Sequence, residues 1–252
     1  MNLQQTLLER NFLPDTIVRW YIRRLLAVRI RQETKPTQEL QQIHLMDIIR
    51  ELKNGPIAIE TGTANEQHYE IPAMFFQYVM GSNMKYSSCY WNADCTSLNA
   101  AEDHALEITC AHADIQEGQK ILELGCGWGS LTMYIAKRFP GVQITGVSNS
   151  RTQKEYIDKC CSERGLKNVH IITMDMNVFS IEEKFDRVVS VEMFEHMRNY
   201  EKLLEKIHGF LVEDGKLFVH IFTHKQFTYY FEVKDDTNWM SRYFFTGGIM
   251  PS

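Results

Sequence analysis

The twenty residues 120–139, KILELGCGWGSLTMYIAKRF, constrain this chain more than any others. They open apolar and β-like at Ile121, Leu122 and Leu124, then break into Gly125-Cys126-Gly127-Trp128-Gly129. Leu131, Ile135 and Phe139 then recur at a helical period until Pro140-Gly141 stops them. The reading is strand, glycine turn, helix. Glycines let a ligand come close to the backbone. The helix N-terminus presents unpaired N–H groups and a partial positive charge.

The spacing narrows the ligand. A dinucleotide fingerprint needs G-x-G-x-x-G with an acidic residue about 20 positions on. Here Gly129 comes early and Ser130 follows it, and no Gly-Lys-Ser/Thr of a phosphate loop appears. Glu123-x-Gly125-x-Gly127-x-Gly129 instead resembles motif I of class I methyltransferases, which use S-adenosylmethionine.

The rest of the chain supplies context. Residues 1–60 read as a helical extension. Pro14-Asp15 suits a helix start, and Ile17, Tyr21, Leu25 and Val28 form a stripe. Arg19, Arg23, Arg24, Arg29 and Arg31 surround it, so the helix either packs on the core or touches a partner or a membrane surface. Lys35-Pro36 ends it, residues 43–52 give another helix, and Asn54-Gly55-Pro56 breaks the chain. Residues 61–97 carry little periodicity and many aromatics, and are expected as a loop region covering a site or packing over a sheet. Residues 98–252 are expected as a Rossmann-like domain. Ser97 caps a helix over 98–112 with Leu98, Ala101, Ala105, Ile108 and His112 on its inner face. Strands then fall at 143–147, 169–173, 185–191 and 217–222, with helices at 151–164 and 200–211. This alternation means a parallel sheet with right-handed crossovers, in the order 3-2-1-4-5. The tail, 234–252, reads as a loop with a large aromatic load.

Composition excludes several classes. A formal net charge of −5 gives no reason to expect nucleic acid. No run long and apolar enough to span a bilayer occurs. The N-terminus lacks the layout of a signal peptide, and the six cysteines form no C-x-x-C. They read as reduced thiols of a cytoplasmic protein, with no metal site.

Ligands of such sheets lie at the C-terminal strand ends. After the first strand, the glycine turn would carry the methionine portion of the cofactor. After the second, Ser148, Asn149 or Gln153 would meet the ribose hydroxyls, since no Asp or Glu stands there. After the third, Asp175-Met176 offers an acceptor and a cover for adenine, although Asp is also an ordinary turn residue. After the fourth come Glu192, Glu195 and His196. Glu192 and Glu195 are three apart, so one helical turn puts both on one face, and histidine exchanges protons nearest neutral pH. Such a cluster attracts a cationic amine, accepts its proton, or simply favours a helix dipole. After the fifth, His220 and His224 flank Phe222 and are as easily satisfied core groups.

With these residues placed, the sequence resembles the cyclopropane-fatty-acid synthase superfamily, and within it the coclaurine-type N-methyltransferases. The motifs are Tyr69-Glu70-Ile71-Pro72, Ser88-Cys89-Tyr90-Trp91, the run from Leu122 to Gly129, Ser148-Asn149-Ser150-x-x-Gln153, Glu192-x-Phe194-Glu195-His196-Met197-x-Asn199-Tyr200, and the tail from Tyr243 to Ser252. The resemblance implies that Tyr90 and the glycine turn hold the methionine portion, Asn149 and Gln153 the ribose, and Asp175-Met176 the adenine. It implies that Glu192, Glu195 and His196 bind and deprotonate an amine. In the lipid branch a bicarbonate ion acts as base, held by groups that here correspond to Cys89, Glu195 and His220. Family members run on past Met250-Pro251-Ser252, so the last strands of the sheet are expected to be missing. The expected function is methyl transfer to an amine nitrogen of a small molecule. The alternatives are methyl or methylene transfer to unsaturated lipid chains, and an inactive fragment that acts as a binding module.

Overall fold

In the first strand, β1 (Lys120–Leu124), every residue but the leading lysine is buried. Such a strand is covered on both faces, as central strands of parallel sheets are. The computed structural model describes residues 6–7, 10–59, 62, 72–233 and 238–252. β1 pairs in parallel with β2 (Gln143–Ser148) on one side, Leu124 opposite Val147, and with β4 (Phe185–Val191) on the other, Leu124 opposite Ser190. β3 (Val169–Thr173) and β5 (Leu211–His220) complete the order β3-β2-β1-β4-β5. The order reverses at β1, so a crevice opens above its C-terminal end.

The helices follow from their caps. Ser97 Oγ accepts from Ala100 N and starts α4 (Leu98–His112). Ser150 Oγ accepts from Gln153 N and starts α6 (Arg151–Arg164), which Gly165 ends in the left-handed region at φ +69°. Between them lies α5 (Ser130–Arg138), and Asn199 caps α7 (Tyr200–Phe210). Leu131, Ile135 and Ala136 of α5 pack with Ile121 and Val189 on one face of the sheet. Leu203, Ile207 and Phe210 of α7 pack with Leu122, Leu124 and Val188 on the other.

The chain divides into two compact units, residues 1–48 and 49–252. In the first, α1 (Asp15–Glu33) buries none of its residues; Trp20, Ile22, Leu26 and Ile30 are exposed, as are Ile17, Tyr21 and Val28 of the expected stripe, and Leu25 is half-buried. The helix that follows it, α2 (Gln38–Asn54), is longer at both ends than its periodicity indicated. No described helix is long and apolar enough to cross a membrane.

Four expectations change. The irregular region before the sheet contains α3 (Ala73–Val79), short enough to show no periodicity. The inner face of α4 is Ala101, Glu102, Ala105, Leu106 and Cys110, while Leu98 and His112 are exposed. The last strand starts at Leu211; β4 advances from Phe185 to Arg187 while β5 advances from Leu211 to Lys216, so the expected turn at Asp214-Gly215 is a bulge in the strand. The tail is ordered into α8 (Trp239–Tyr243) and a strand β7 (Ile249–Met250), which pairs antiparallel with β6 (Tyr229–Tyr230).

Glu102 explains how an apolar helix face tolerates a carboxylate. Its Oε1 accepts from Gly81 N (2.8 Å) and Lys85 N (3.2 Å), and its Oε2 from Asn83 N (2.8 Å). The carboxylate thus replaces the missing backbone partners of a buried loop. Glu102→Ala is expected to destabilise the chain by about 3 kcal/mol, because three donors lose a charged acceptor. Exposed Glu107→Ala should change little. Urea unfolding midpoints of the two variants check this.

Candidate active site

Val147 O accepts from both Gly125 N and Cys126 N, at 3.0 Å each, and so pins the glycine turn to the end of β2. Gly125 sits at φ +80°, where a Cβ would lie 2.9 Å from Met193 Cβ. Gly129 caps α5 at φ +77°, where a Cβ would lie 2.7 Å from Ile157 Cγ1. Both positions exclude side chains by conformation and by space.

Above the turn lies a cavity of 460 Å³, walled by Gly125 to Trp128 and Glu123 below, Met84 to Ser88 on one side, and Glu192, Glu195 and His196 on another. That volume suits a small organic ligand. Trp128 Nε1, Ser130 Oγ, Gln153 Nε2 and Glu195 Oε2 are buried without a hydrogen-bond partner, and all four residues line this cavity. A buried polar atom left unpaired is costly, so four around one cavity indicate a polar ligand. A second cavity, 560 Å³, adjoins across Lys85, Tyr86, Ser87 and Phe244, and is walled by Phe75, Phe76, Val79 and Met80.

The acidic wall is not the helical turn that the spacing suggested. Glu192 adopts φ +52° and donates its N–H to His220 O (2.8 Å), and only Phe194–His196 forms a short 3₁₀ turn. The left-handed residue, strained for glutamate, brings Glu192 back onto Glu195. Burial pushes the Glu195 carboxyl up to about 9, helped by the hydrogen bond and like charge of Glu192. Glu195 therefore keeps its proton at neutral pH. Burial likewise pushes Glu123 up to about 7 against a hydrogen bond from Thr132 Oγ1. His196 stacks on Phe245 of the tail at 5.5 Å, and Phe245 stacks on Phe231 at 4.9 Å. On the other side, Ile57 O accepts from Arg198 N and Asn199 N, and Ala58 bridges to Met197.

The structure therefore gathers Glu123, Gly125, Gly127, Gln153, Glu192, Glu195 and His196 around one cavity. Gln153 is oriented by Ser148, whose Oγ donates to its Oε1 at 2.6 Å, while its Nε2 is buried without a partner. Ser148 is consumed in doing so and also accepts from Ser150 N. Gly129 stands behind the turn, and Asn149 is half-buried outside the cavity wall. Tyr90, expected at the cofactor, is exposed beside His104; Tyr86 and Ser87 hold the wall instead. Asp175 accepts from Asn177 N (2.7 Å) as a turn residue, and Met176 is buried in the core with Leu124 and Phe179. Neither lines the cavity. His220 lies outside it, its Nδ1 3.7 Å from Glu192 Oε1, and Cys89 lines the second cavity. Tyr69 and Glu70 lie outside the described residues. Sequence reasoning missed Lys85 and Trp128. A lysine reads as solvated and a tryptophan among glycines as packing; no spacing marks either.

Residues 59–252 match the family Mycolic acid cyclopropane synthetase. The chain is 39% identical over 243 residues to (S)-coclaurine N-methyltransferase of Thalictrum flavum subsp. glaucum, covering 96% of this chain and 67% of that enzyme. It is 31% identical over 192 residues to cyclopropane-fatty-acyl-phospholipid synthase of Escherichia coli K12, covering 74% of this chain and 46% of that enzyme. The crystal structure of coclaurine N-methyltransferase bound to N-methylheliamine and SAH superposes with a TM-score of 0.91 at 39% identity, covering 98% of this chain and 72% of that one. With the parallel sheet and the glycine turn above, these matches assign the chain: it belongs to the mycolic acid cyclopropane synthetase family.

Proposed function

We propose that this chain is an S-adenosylmethionine-dependent methyltransferase that acts on an amine nitrogen of a small molecule. The observation that carries it is the cavity between a glycine turn and a buried acid–acid–histidine wall, with four buried, unpaired polar atoms on residues that line it. When bound, the cofactor supplies a methyl group on a positively charged sulfur. The turn at Gly125 and Gly127 would let it come close to the backbone, although Gly125 N and Gly129 N are spent on Val147 O and Cys126 O; Gln153 Nε2 and Trp128 Nε1, on residues of the same wall, have no partner. Asn149 for the ribose, and Asp175 with Met176 for the adenine, belong to this reading by their places after β2 and β3. Tyr69, Glu70 and Tyr90 enter it only through family resemblance.

The acceptor side follows from charge. The acidic Glu192–Glu195 pair draws a protonated amine into the cavity. His196 takes the proton from the nitrogen, and the pair's remaining negative charge stabilises the imidazolium that results. With the cofactor bound, the cavity wall would hold the freed lone pair in line with the methyl group, and this positioning would supply much of the rate. Coclaurine methylation by a 39%-identical relative supports an alkaloid-like amine. The lipid reading needs Cys89, Glu195 and His220 around one anion; these face two different cavities and the exterior, which weighs against it. Cytoplasmic placement is part of the proposal and fits six cysteines that are all unpaired.

Calorimetric titration with S-adenosylhomocysteine is expected to give saturable one-to-one binding, about tenfold weaker in Gln153→Ala. With (S)-coclaurine as acceptor, Glu195→Gln and His196→Ala should each lower kcat by about 100-fold or more while leaving that binding nearly unchanged. Parental turnover in both variants, or activity on phospholipid vesicles alone, would overturn the amine assignment.

Stability carries a separate signature. Glu123 and Glu195 keep protons in the folded chain that the unfolded chain releases above 4.5. Stability therefore falls as pH rises, up to about 7 for Glu123 and about 9 for Glu195. Asp114 acts oppositely: hydrogen bonds from Lys216, Gln116 and Arg187 hold it well below the usual range, so its contribution is lost in acid. Thermal unfolding should occur at a higher temperature at about pH 5.5 than at about pH 8.5, with Glu195→Gln flattening the upper part of that fall. A parent chain that gains stability over the same interval would contradict the raised carboxyls.

A further inference from the structure

Lys85 is a buried cation that makes no ion pair among the described residues. It is 7% exposed and lines both cavities. Its Nζ donates to Ser87 Oγ at 2.5 Å, and among the described residues no carboxylate pairs with it within 4 Å. The acids around it are engaged elsewhere. Glu102 accepts three backbone N–H groups, Glu123 accepts from Thr132, and Glu192 lies against Glu195 and 3.7 Å from His220 Nδ1. Cys89 also faces it and is held as the thiol by burial. A buried ammonium with one neutral partner is costly and calls for an anion.

The cavity it lines offers other donors, Trp128 Nε1 and Gln153 Nε2, at the same wall as the glycine turn. Lys85 is the one lysine or arginine among the residues described as lining it. S-adenosylmethionine carries a single anionic group, the carboxylate of its methionine portion; its amine and sulfonium are cationic. We propose that Lys85 binds this carboxylate and so fixes the methionine end of the cofactor over the glycine turn. This rests on the reading that the cavity holds S-adenosylmethionine. In the bound state the charge that is unpaired here gains its counter-ion, and the sulfonium is set at one distance from the Glu192–Glu195 wall.

The test compares S-adenosylmethionine with its decarboxylated form, which keeps the nucleoside, sulfonium and amine and lacks only the carboxylate. Calorimetry is run on the parent chain, Lys85→Met and Lys85→Gln. The expected result is an affinity loss of about 10- to 100-fold for S-adenosylmethionine in both variants, with no loss for the decarboxylated form. An equal loss for both nucleosides would mean that Lys85 only supports the fold, and no loss for either would remove it from the site; each overturns the proposal. Should both variants fail to fold, reductive methylation of the native chain decides: S-adenosylmethionine should shield Lys85 and the decarboxylated form should not. Equal shielding by the two overturns the assignment. A parent chain that binds neither nucleoside would instead overturn the function proposed above.

Discussion

One carbonyl decides the geometry of this molecule above its sheet. Val147 O receives two N–H groups, those of Gly125 and Cys126, where a continuing strand would give it one. The second bond turns the chain off β1 and over the end of β2. It forces left-handed backbone at Gly125, and the space that a side chain would need is already held by Met193. The glycine turn, the entry angle of α5 and the floor of the cavity all follow from that fork. The same Met193 leads into the acid–acid–histidine loop, so the cofactor floor and the acidic wall are packed on one another.

A wall of this kind is expensive to keep. Glu123 and Glu195 are almost wholly buried, and Glu192 accepts a left-handed backbone that costs on the order of 1–3 kcal/mol. Lys85 is desolvated with one neutral partner. Each would be a defect in a core built for stability alone. Together, around one cavity with unpaired donors, they form the pattern that functional sites share: ionisable groups pushed from their ordinary range by burial and by each other. The opposite end of the sheet shows the contrast. There Arg187 and Lys216 hold Asp114 with direct hydrogen bonds.

What could be read from the sequence was what regular periodicity or a rigid motif encodes. The five strands, their order, α6 between Ser150 and Gly165, and the residue types of the acidic loop were all legible, because alternation, caps and glycines are local signals. Three kinds of feature were not. The short α3 has too few residues to repeat a pattern. Glu102 lies at an inner position that its chemistry argues against, and only the loop it caps, some twenty residues upstream, makes it tolerable. The closeness of Glu192 and Glu195 was inferred from helical spacing, but a left-handed residue produces it. Tyr90 is exposed beside His104, while the same loop lines the cavity through Tyr86 and Ser87.

The sheet alone does not make the site. His196 is held between two segments that no Rossmann unit contains. On one side the chain from Gly55 to Ala58 ties itself to Met197, Arg198 and Asn199 and, through the Asn177 side chain, to the turn after β3. On the other, Phe245 lies against the imidazole, and Arg198 Nε donates to Gly247 O at 2.6 Å. Gly248 passes so close that a Cβ there would lie 2.8 Å from Glu195 O. These contacts fix the loop at both of its edges, which a strained residue such as Glu192 requires. They also make the tail a wall of the site, since Phe244 and Phe245 line the cavity directly. The specificity of such a chain therefore resides less in the glycine turn, which any relative can supply, than in the segments before and after the sheet that set how the acids and the histidine face it.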